Sequence, residues 1–461
     1  MRRAVVLVAL ATIVALAVNA VQQIGHERQV RDLLVKGEQA LARGQSYQAI
    51  EFFSGAIALR PNSMPAYFRR GEAYRDQRQD DRAVRDFLEA SRLSPTASEP
   101  LVALGELYDQ QGDPARAAEW YGQANSRLKD TAPTLLYSLA LALYRSGNPA
   151  AAREPLRRAL ARDDASAEGH YLLGLVSRDA QDFDGALVSL ERAVRLAPSL
   201  VAAREELADL YRERGRDAEE LAQLRALTEV DQGVDRRIAL GLAEARREHF
   251  EAALTTLRAA ESSAPNDSQV ALAIGRVLLT RAERSRDLKL ANQARVALER
   301  ALGGTARRSE GLALFGRALY LSGDIAGAER ILQEALATSP IDAEAFDFYA
   351  DTAAAAGHPL PARDALMDLD ALAGDAGPRT QRTARLRRIG ALSLDAGDPR
   401  TALTFLTQAS DAEPRDAVTL GLLARARWQT GDAEGAKLAL HQALALDASD
   451  STLQRLTRTI R

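Results

Sequence analysis

One pattern returns about every 34 residues, from about residue 30 to about residue 450 of the 461-residue chain. Its cleanest copy is MPAYFRRGEAYRDQRQDDRAVRDFLEASRLSPTA, residues 64–97. Tyr67, Gly71 and Tyr74 fall three to four apart, on one face of a first helix, A. Ala83, Phe87 and Ala90 do the same on a second helix, B, and Pro95 stops it. Gly71, Ala83 and Ala90 let the two backbones approach. Tyr67, Tyr74 and Phe87 fill the space beside them. A lone hairpin of this size cannot bury both apolar faces, so it must stack on copies of itself.

Twelve copies fit, starting near Val30, Met64, Ser98, Pro133, Ala167, Val201, Val234, Ser268, Ser309, Ala343, Thr383 and Ala417. Counting from each start, position 8 is small: Gly37, Gly71, Gly105, Ala140, Gly174, Ala208, Gly241, Gly275, Gly316, Ala350, Gly390 and Ala424. Positions 20 and 27 are usually Ala. Position 24 is large and apolar, from Phe53, Phe87 and Tyr121 to Leu440. Position 32 is often Pro, as at Pro61, Pro95, Pro198 and Pro340. The inter-helix turns recur as Gly112-Asp113-Pro114, Gly147-Asn148-Pro149, Gly357-His358-Pro359 and Gly397-Asp398-Pro399, and without Pro at Gly323-Asp324 and Gly431-Asp432. Gly can take the left-handed conformation that ends helix A, Asp or Asn can cap helix B, and Pro fits its first turn.

This pattern resembles the tetratricopeptide repeat family. The resemblance implies an all-α fold, a right-handed α-solenoid superhelix of about twelve helix-turn-helix repeats. Repeats 1–8 would fill residues 25–300, repeats 9–10 residues 301–376, repeats 11–12 residues 377–450, and a capping helix with a polar outer side residues 451–461. Four departures stand out. RAERSRD (281–287) inserts about seven residues into the eighth repeat, predicting longer helices on both sides or a charged loop. GDAGPRTQR (374–382) adds about six after the tenth and predicts a hinge. Pro155 falls inside a helix B and predicts a kink or a delayed start. Glu220 stands at position 20 of the sixth repeat, where Ala is usual, and predicts a looser turn.

Residues 1–24, MRRAVVLVALATIVALAVNAVQQI, carry Arg2 and Arg3 before an apolar run to about Val21. Two readings fit. An uncleaved anchor uses the whole run, close to the ~20 residues a bilayer requires. A cleaved secretory signal uses the run to Val18, with Val18-Asn19-Ala20 at the cut. The first predicts a single-pass protein of the cell membrane, held by an N-terminal apolar helix, with its repeats on the periplasmic, extracytoplasmic side. The second predicts secretion to the periplasm.

Composition narrows the classes further. A net charge of −3 predicts no bulk attraction to nucleic acid. The absence of cysteine excludes disulfides, thiolate metal sites and a lipid-modified N-terminal Cys. The histidines His26, His170, His249, His358 and His441 show no metal-ligand spacing, and no catalytic motif appears, so the chain reads as a non-enzyme without cofactors or metals. His170, at a packing position, reads as a satisfied interfacial side chain.

In the family the concave face is lined by helix A, chiefly positions 2, 5, 9, 12 and 13. Carried onto this chain, those positions imply three zones. The first is acidic: Glu38, Glu72, Glu106 and Asp109. The second is apolar and aromatic: Tyr137, Leu141, Tyr144, Tyr171 and Leu175. The third is basic with two aromatics: Arg276, Arg317, Tyr320, Arg387, Arg425 and Trp428. Apolar and aromatic side chains on a face that meets water suggest docking, and Tyr and Trp are frequent anchors. Ordinary packing between neighbouring turns is the competing reading. The basic zone suits acidic peptides or anionic envelope polymers, or is a plain solvated face. Glu38, Glu72 and Glu106 would repel the C-terminal carboxylate that chaperone-binding members hold. Members that assist lipopolysaccharide assembly carry a Cys-rich tail, which this chain lacks. The function these features imply is a scaffold of the bacterial cell envelope that binds partner proteins or peptide segments, with inner-membrane attachment through residues 1–24. The alternative is a component of polysaccharide secretion or cell-wall assembly whose aromatics stack on glycan. Oligomeric state is not encoded in any of these features.

Overall fold

The computed structural model describes residues 25–129, 131–304, 308–374 and 378–460. Every described element is a helix, and no strand occurs among the described residues. The chain divides into two compact units, the first ending at Arg214 and the second beginning at Gly215. In the first, A and B helices alternate: α1 (25–42), α2 (Ser46–Leu59), α3 (Met64–Asp76), α4 (Asp80–Leu93), α5 (Glu99–Gln110), α6 (Pro114–Leu128), α7 (Pro133–Arg145), α8 (Pro149–Leu160), α9 (Ala167–Asp179), α10 (Phe183–Leu196) and α11 (Val201–Glu213). The second holds α12 (Asp217–Val230), α13 (Val234–Arg246), α14 (Phe250–Ser263), α15 (Ser268–Ser285), α16 (Leu288–Ala301), α17 (Arg308–Leu321), α18 (Ile325–Ala337), α19 (Ala343–Ala355), α20 (Pro359–Ala373), α21 (Arg379–Asp395), α22 (Pro399–Ala412), α23 (Ala417–Gln429), α24 (Ala433–Leu446) and α25 (Ser451–Thr459).

Positions 8 and 24 meet across each hairpin. A Cβ added at Gly105 would stand 2.5 Å from the Tyr121 ring, one at Gly71 2.7 Å from Phe87, and one at Gly390 2.4 Å from Leu406. Only glycine leaves room for so close a crossing. The position-20 alanines, from Ala49 and Ala83 to Ala402 and Ala436, are all 0% exposed. Larger side chains there would push helix B off helix A. The turns form as their residues predict. Gly112, Gly147, Gly323, Gly397 and Gly431 have φ between +73° and +93°. Asp113, Asn148, Asp324, Asp398 and Asp432 each accept a hydrogen bond from a backbone N–H three residues on. His358 makes no such cap; its Nδ1 lies 2.9 Å from Glu329 instead.

The departures resolve unevenly. The insertion at 281–287 lengthens only the first helix: α15 has 18 residues, α16 an ordinary 14, and Asp287 caps the latter. The expectation of longer helices on both sides is thus corrected, because Arg286 takes a left-handed conformation and Asp287 starts the next helix at once. Pro155 does not delay its helix, which begins at Pro149 and runs through to Leu160. The hinge expected at 374–382 falls partly on residues 375–377, outside the described residues. The boundary between the two units falls in the turn of the sixth repeat. There Glu220 is 2% exposed, and Arg246 of α13 donates to its Oε1 at 2.5 Å. At the C-terminus Leu453 of α25 is buried with Leu420 and Leu440, and Asp450 caps the helix.

The apolar segment 1–24 lies outside the described residues. Among the described residues no helix is long and apolar enough to cross a membrane.

Candidate functional site

The three zones behave differently once their partners are in place. Every acidic-zone side chain meets an arginine of its own or a neighbouring A helix. Arg69 lies 2.8 Å from Glu72 and 3.7 Å from Glu38, Arg75 lies 2.9 Å from Glu106, and Arg145 lies 3.2 Å from Asp109.

The basic zone is also internally neutralised. Arg317 sits between Glu283 of α15, at 2.8 Å, and Asp351 of α19, at 2.9 Å. Its guanidinium lies 5.1 Å from the ring centres of both Tyr320 and Phe348, and its side chain is 17% exposed. Arg276 reaches Glu310 at 3.0 Å, Arg387 reaches Asp416 at 2.6 Å, and Arg425 faces Asp395 at 3.5 Å. Trp428 packs against the cluster of Leu420, Ala424 and Leu440. These arginines belong to a ladder of ion pairs between successive A helices. A surface built that way presents little unbalanced positive charge. Arg425 also borders a cavity of about 340 Å³ between α23 and α25, lined by Val418, Leu422, Leu453 and Leu456.

The aromatic zone is the one that stays partly open. Tyr137, Leu141 and Tyr144 on α7 are half-buried, resting against Ala140, Leu156, Leu172 and Val176. Tyr171 on α9 is half-buried against the cluster of Leu190, Leu207 and Tyr211. Leu175 departs from its expected place: at 9% exposure it is a packing residue, because position 9 of α9 turns into the stack. Each of these rings is thus packed against its neighbours and keeps part of its surface exposed.

Three charged residues complete this zone: Arg178 and Asp179, at positions 12 and 13 of α9, which the frame reads but the expected zone left out, and Glu206 of α11. Arg178 Nη1 donates to Glu206 Oε2, joining α9 to α11. Asp179 accepts from the Tyr144 hydroxyl, and its charge, with burial as the larger cause, pushes that phenol up. The phenols of Tyr137 and Tyr171 are pushed up too, first by burial and then by Glu168 and Glu206 respectively. Glu206 itself is held above the usual carboxylate range. Burial is the main cause, Arg178 opposes it, and Asp209, Asp179 and Glu205 add to it. Glu206 sits at position 6, outside the positions that the frame reads. The Glu205-Glu206 pair in α11 was the only sequence signal for it.

No group of His, Asp and Glu among the described residues is placed to hold a metal ion. His170 Nε2 rests 3.1 Å from Asp164, an ordinary satisfied side chain.

Comparison with known proteins agrees with the repeat pattern. Family models described as tetratricopeptide repeat match residues 68–133, 137–199, 178–233 and 393–460. Together these segments span half of the chain. The tetratricopeptide repeat and J domain-containing co-chaperone DNJ1 of Fusarium oxysporum f. sp. lycopersici is 30% identical over 108 residues, covering 23% of this chain and 21% of that protein. The match thus spans only about a fifth of that relative's length. Among solved structures, the APC/C hetero-tetramer Cut9-Hcn1 superposes with a TM-score of 0.43 at 13% identity, covering 94% of this chain and 96% of that one. MamA gives 0.35 at 25% identity over 37% of this chain and 92% of its own. YrrB, titled a protein with an unusual peptide-binding site, gives 0.36 at 18% identity over 39% and 92%.

Proposed function

This chain belongs to the tetratricopeptide-repeat family, whose members bind other proteins or peptides, and from that premise we propose that it is a non-catalytic scaffold of the bacterial cell envelope. Partner segments lie along the A-helix face of the first unit, and residues 1–24 hold the chain at the inner membrane with its repeats on the periplasmic side. One observation carries the binding face: Tyr137, Tyr144 and Tyr171 are each packed on one side and open on the other. Anchors fixed by packing lose little freedom when a partner covers them. The membrane attachment rests on the apolar run after Arg2 and Arg3.

A photo-crosslinking residue at Tyr137, Tyr144 or Tyr171, introduced in living cells, should trap discrete partner proteins. The same residue at Val188, which is exposed on helix B α10, should not. Identical products from both faces would refute the binding face. Fractionation should place the protein in the membrane pellet and open it to protease added to spheroplasts. A soluble periplasmic product shortened by the leader would support secretion instead, and a cytoplasmic product would overturn the envelope assignment.

The glycan-binding alternative leans on the same tyrosines together with Tyr320 and Trp428. Those last two are engaged by Arg317 and by the α23–α25 core, so the geometry favours protein partners.

A further inference from the structure

We propose that the cavity between α23 and α25 seats a partner segment in which a carboxylate adjoins a large aliphatic side chain. The carboxylate meets Arg425 and Arg455, and the side chain rests on Val418, Leu422 and Leu456. This goes beyond the tyrosine face of the scaffold reading, which lies in the first unit.

Gly421, at position 5 of α23, lets α25 come close. A Cβ there would stand 2.5 Å from Leu453 Cδ2. Leu453 is accordingly buried, whereas Leu422 and Leu456 stay half-buried and Val418 is 53% exposed. These side chains line a space of about 340 Å³, the size of a small binding pocket. An aliphatic side chain lodged there would cover apolar surface that water now meets.

The charge around this space is one-sided. Neither α23 nor α25 contains an acidic residue, and between them they carry Arg425, Arg427, Arg455 and Arg458. Arg427 turns away and donates to the Gly435 carbonyl of α24 at 3.1 Å. Arg455 donates to the Ser451 carbonyl of its own helix at 3.2 Å, and neither it nor Arg458 meets a carboxylate among the described residues. Arg425 has only the 3.5 Å approach of Asp395. The acids that start the two helices are already engaged. Asp416 accepts from the Val418 N–H at 3.1 Å and faces Arg387 at 2.6 Å. Asp450, which borders the cavity, accepts from the N–H groups of Thr452 and Leu453 at 2.6 and 3.1 Å. The place thus differs from the rest of the second unit's A face, where Arg276, Arg317 and Arg387 are held by carboxylates. A cationic segment would be repelled here. A carboxylate would meet two guanidinium groups beside apolar surface, where charged hydrogen bonds are strong.

The test uses the full chain and acetylated, amidated decapeptides of Gly and Ser with a central Leu-Glu-Glu-Leu, Leu-Lys-Lys-Leu or Ala-Glu-Glu-Ala. Titration calorimetry should show the first binding about tenfold or more tighter than the other two. Arg455→Glu and Val418→Glu, both at exposed side chains, should each weaken that binding by about tenfold. Arg330→Glu, the same charge change at an exposed site on α18, should leave it unchanged. Equal binding of the Glu and Lys peptides, no binding of any peptide, or indifference to both Arg455→Glu and Val418→Glu would overturn the inference. Decanoate binding as tightly as the Leu-Glu-Glu-Leu peptide would assign the cavity to a free amphiphile and overturn it too. The scaffold reading is judged separately, by whether Tyr144 crosslinks to partners in cells.

Discussion

At Gly105 the absence of a Cβ decides whether a hairpin closes, because the Tyr121 ring already occupies the space 2.5 Å from where that atom would be. Gly105→Leu should therefore lower stability by about 1–3 kcal/mol through overpacking. Glu106→Leu, one residue on, should cost far less, since Glu106 is exposed and its bridge to Arg75 is a surface pair. Urea unfolding of the two variants checks this, and equal losses would mean that positions 8 and 9 are misassigned. Glu206 makes a second test at this scale. Its carboxyl lies above the usual value of 4.5 in the folded chain, so the native state keeps a proton that the unfolded chain has lost. The stability this brings is present in full below the ordinary value and is lost as pH rises through the raised one. Glu206→Gln should consequently be more stable than the parent at neutral pH and indistinguishable near about pH 4. A variant less stable at neutral pH would mean that the bridge to Arg178 outweighs burial.

Among the elements, α12 breaks the rule that position 20 is small. Its Glu220 is 2% exposed, whereas Arg246, which pairs with it, stays 41% exposed. The pair should respond asymmetrically. Arg246→Ala strands a buried carboxylate and should cost at least about 2 kcal/mol, while Glu220→Ala restores the common residue and frees an arginine to water, so it should be neutral or stabilising. Thermal unfolding of both variants separates the cases. Helix A starts at Met64, Pro133, Ala167, Val201, Val234, Ala343 and Ala417 were readable because a period near 34 and a small residue at position 8 depend only on local packing. The capped turns were readable for the same reason. The lengthening of α15 alone was not, because whether RAERSRD extends a helix or loops out is settled by where Asp287 caps. The candidate site was half legible. Tyr137, Tyr144 and Tyr171 follow from register, as does Asp179 at position 13 of α9, but the company of Glu206 depends on which face of α11 meets α9. The basic zone misled for a related reason: composition counts charges, and only geometry shows that Arg317, Arg387 and Arg425 already have carboxylates.

For the whole molecule, the A faces of both units are laced by ion pairs between neighbouring helices. Stability should fall modestly between low and physiological ionic strength, because exposed charges are screened over about 10 Å at 0.1 M salt and exposed pairs then contribute less. Thermal unfolding across a salt series checks this, and a flat response would mean that the pairs add nothing to stability.

The ladder of ion pairs in the second unit has a further consequence. Arg317 is clasped from both sides by its neighbours, through Glu283 and Asp351, and Asp351 is shared with Arg388. A small residue, glycine or alanine, meets leucine in each hairpin of this unit, so on shape alone the modules are nearly interchangeable. Their charges are not: transposing the ninth and tenth modules would set Arg276 and Arg317 against the wrong neighbours while every such meeting remained intact. The order of modules is thus written in electrostatics, and a gene duplication within this stretch would be tolerated only where cation still meets anion at the seam.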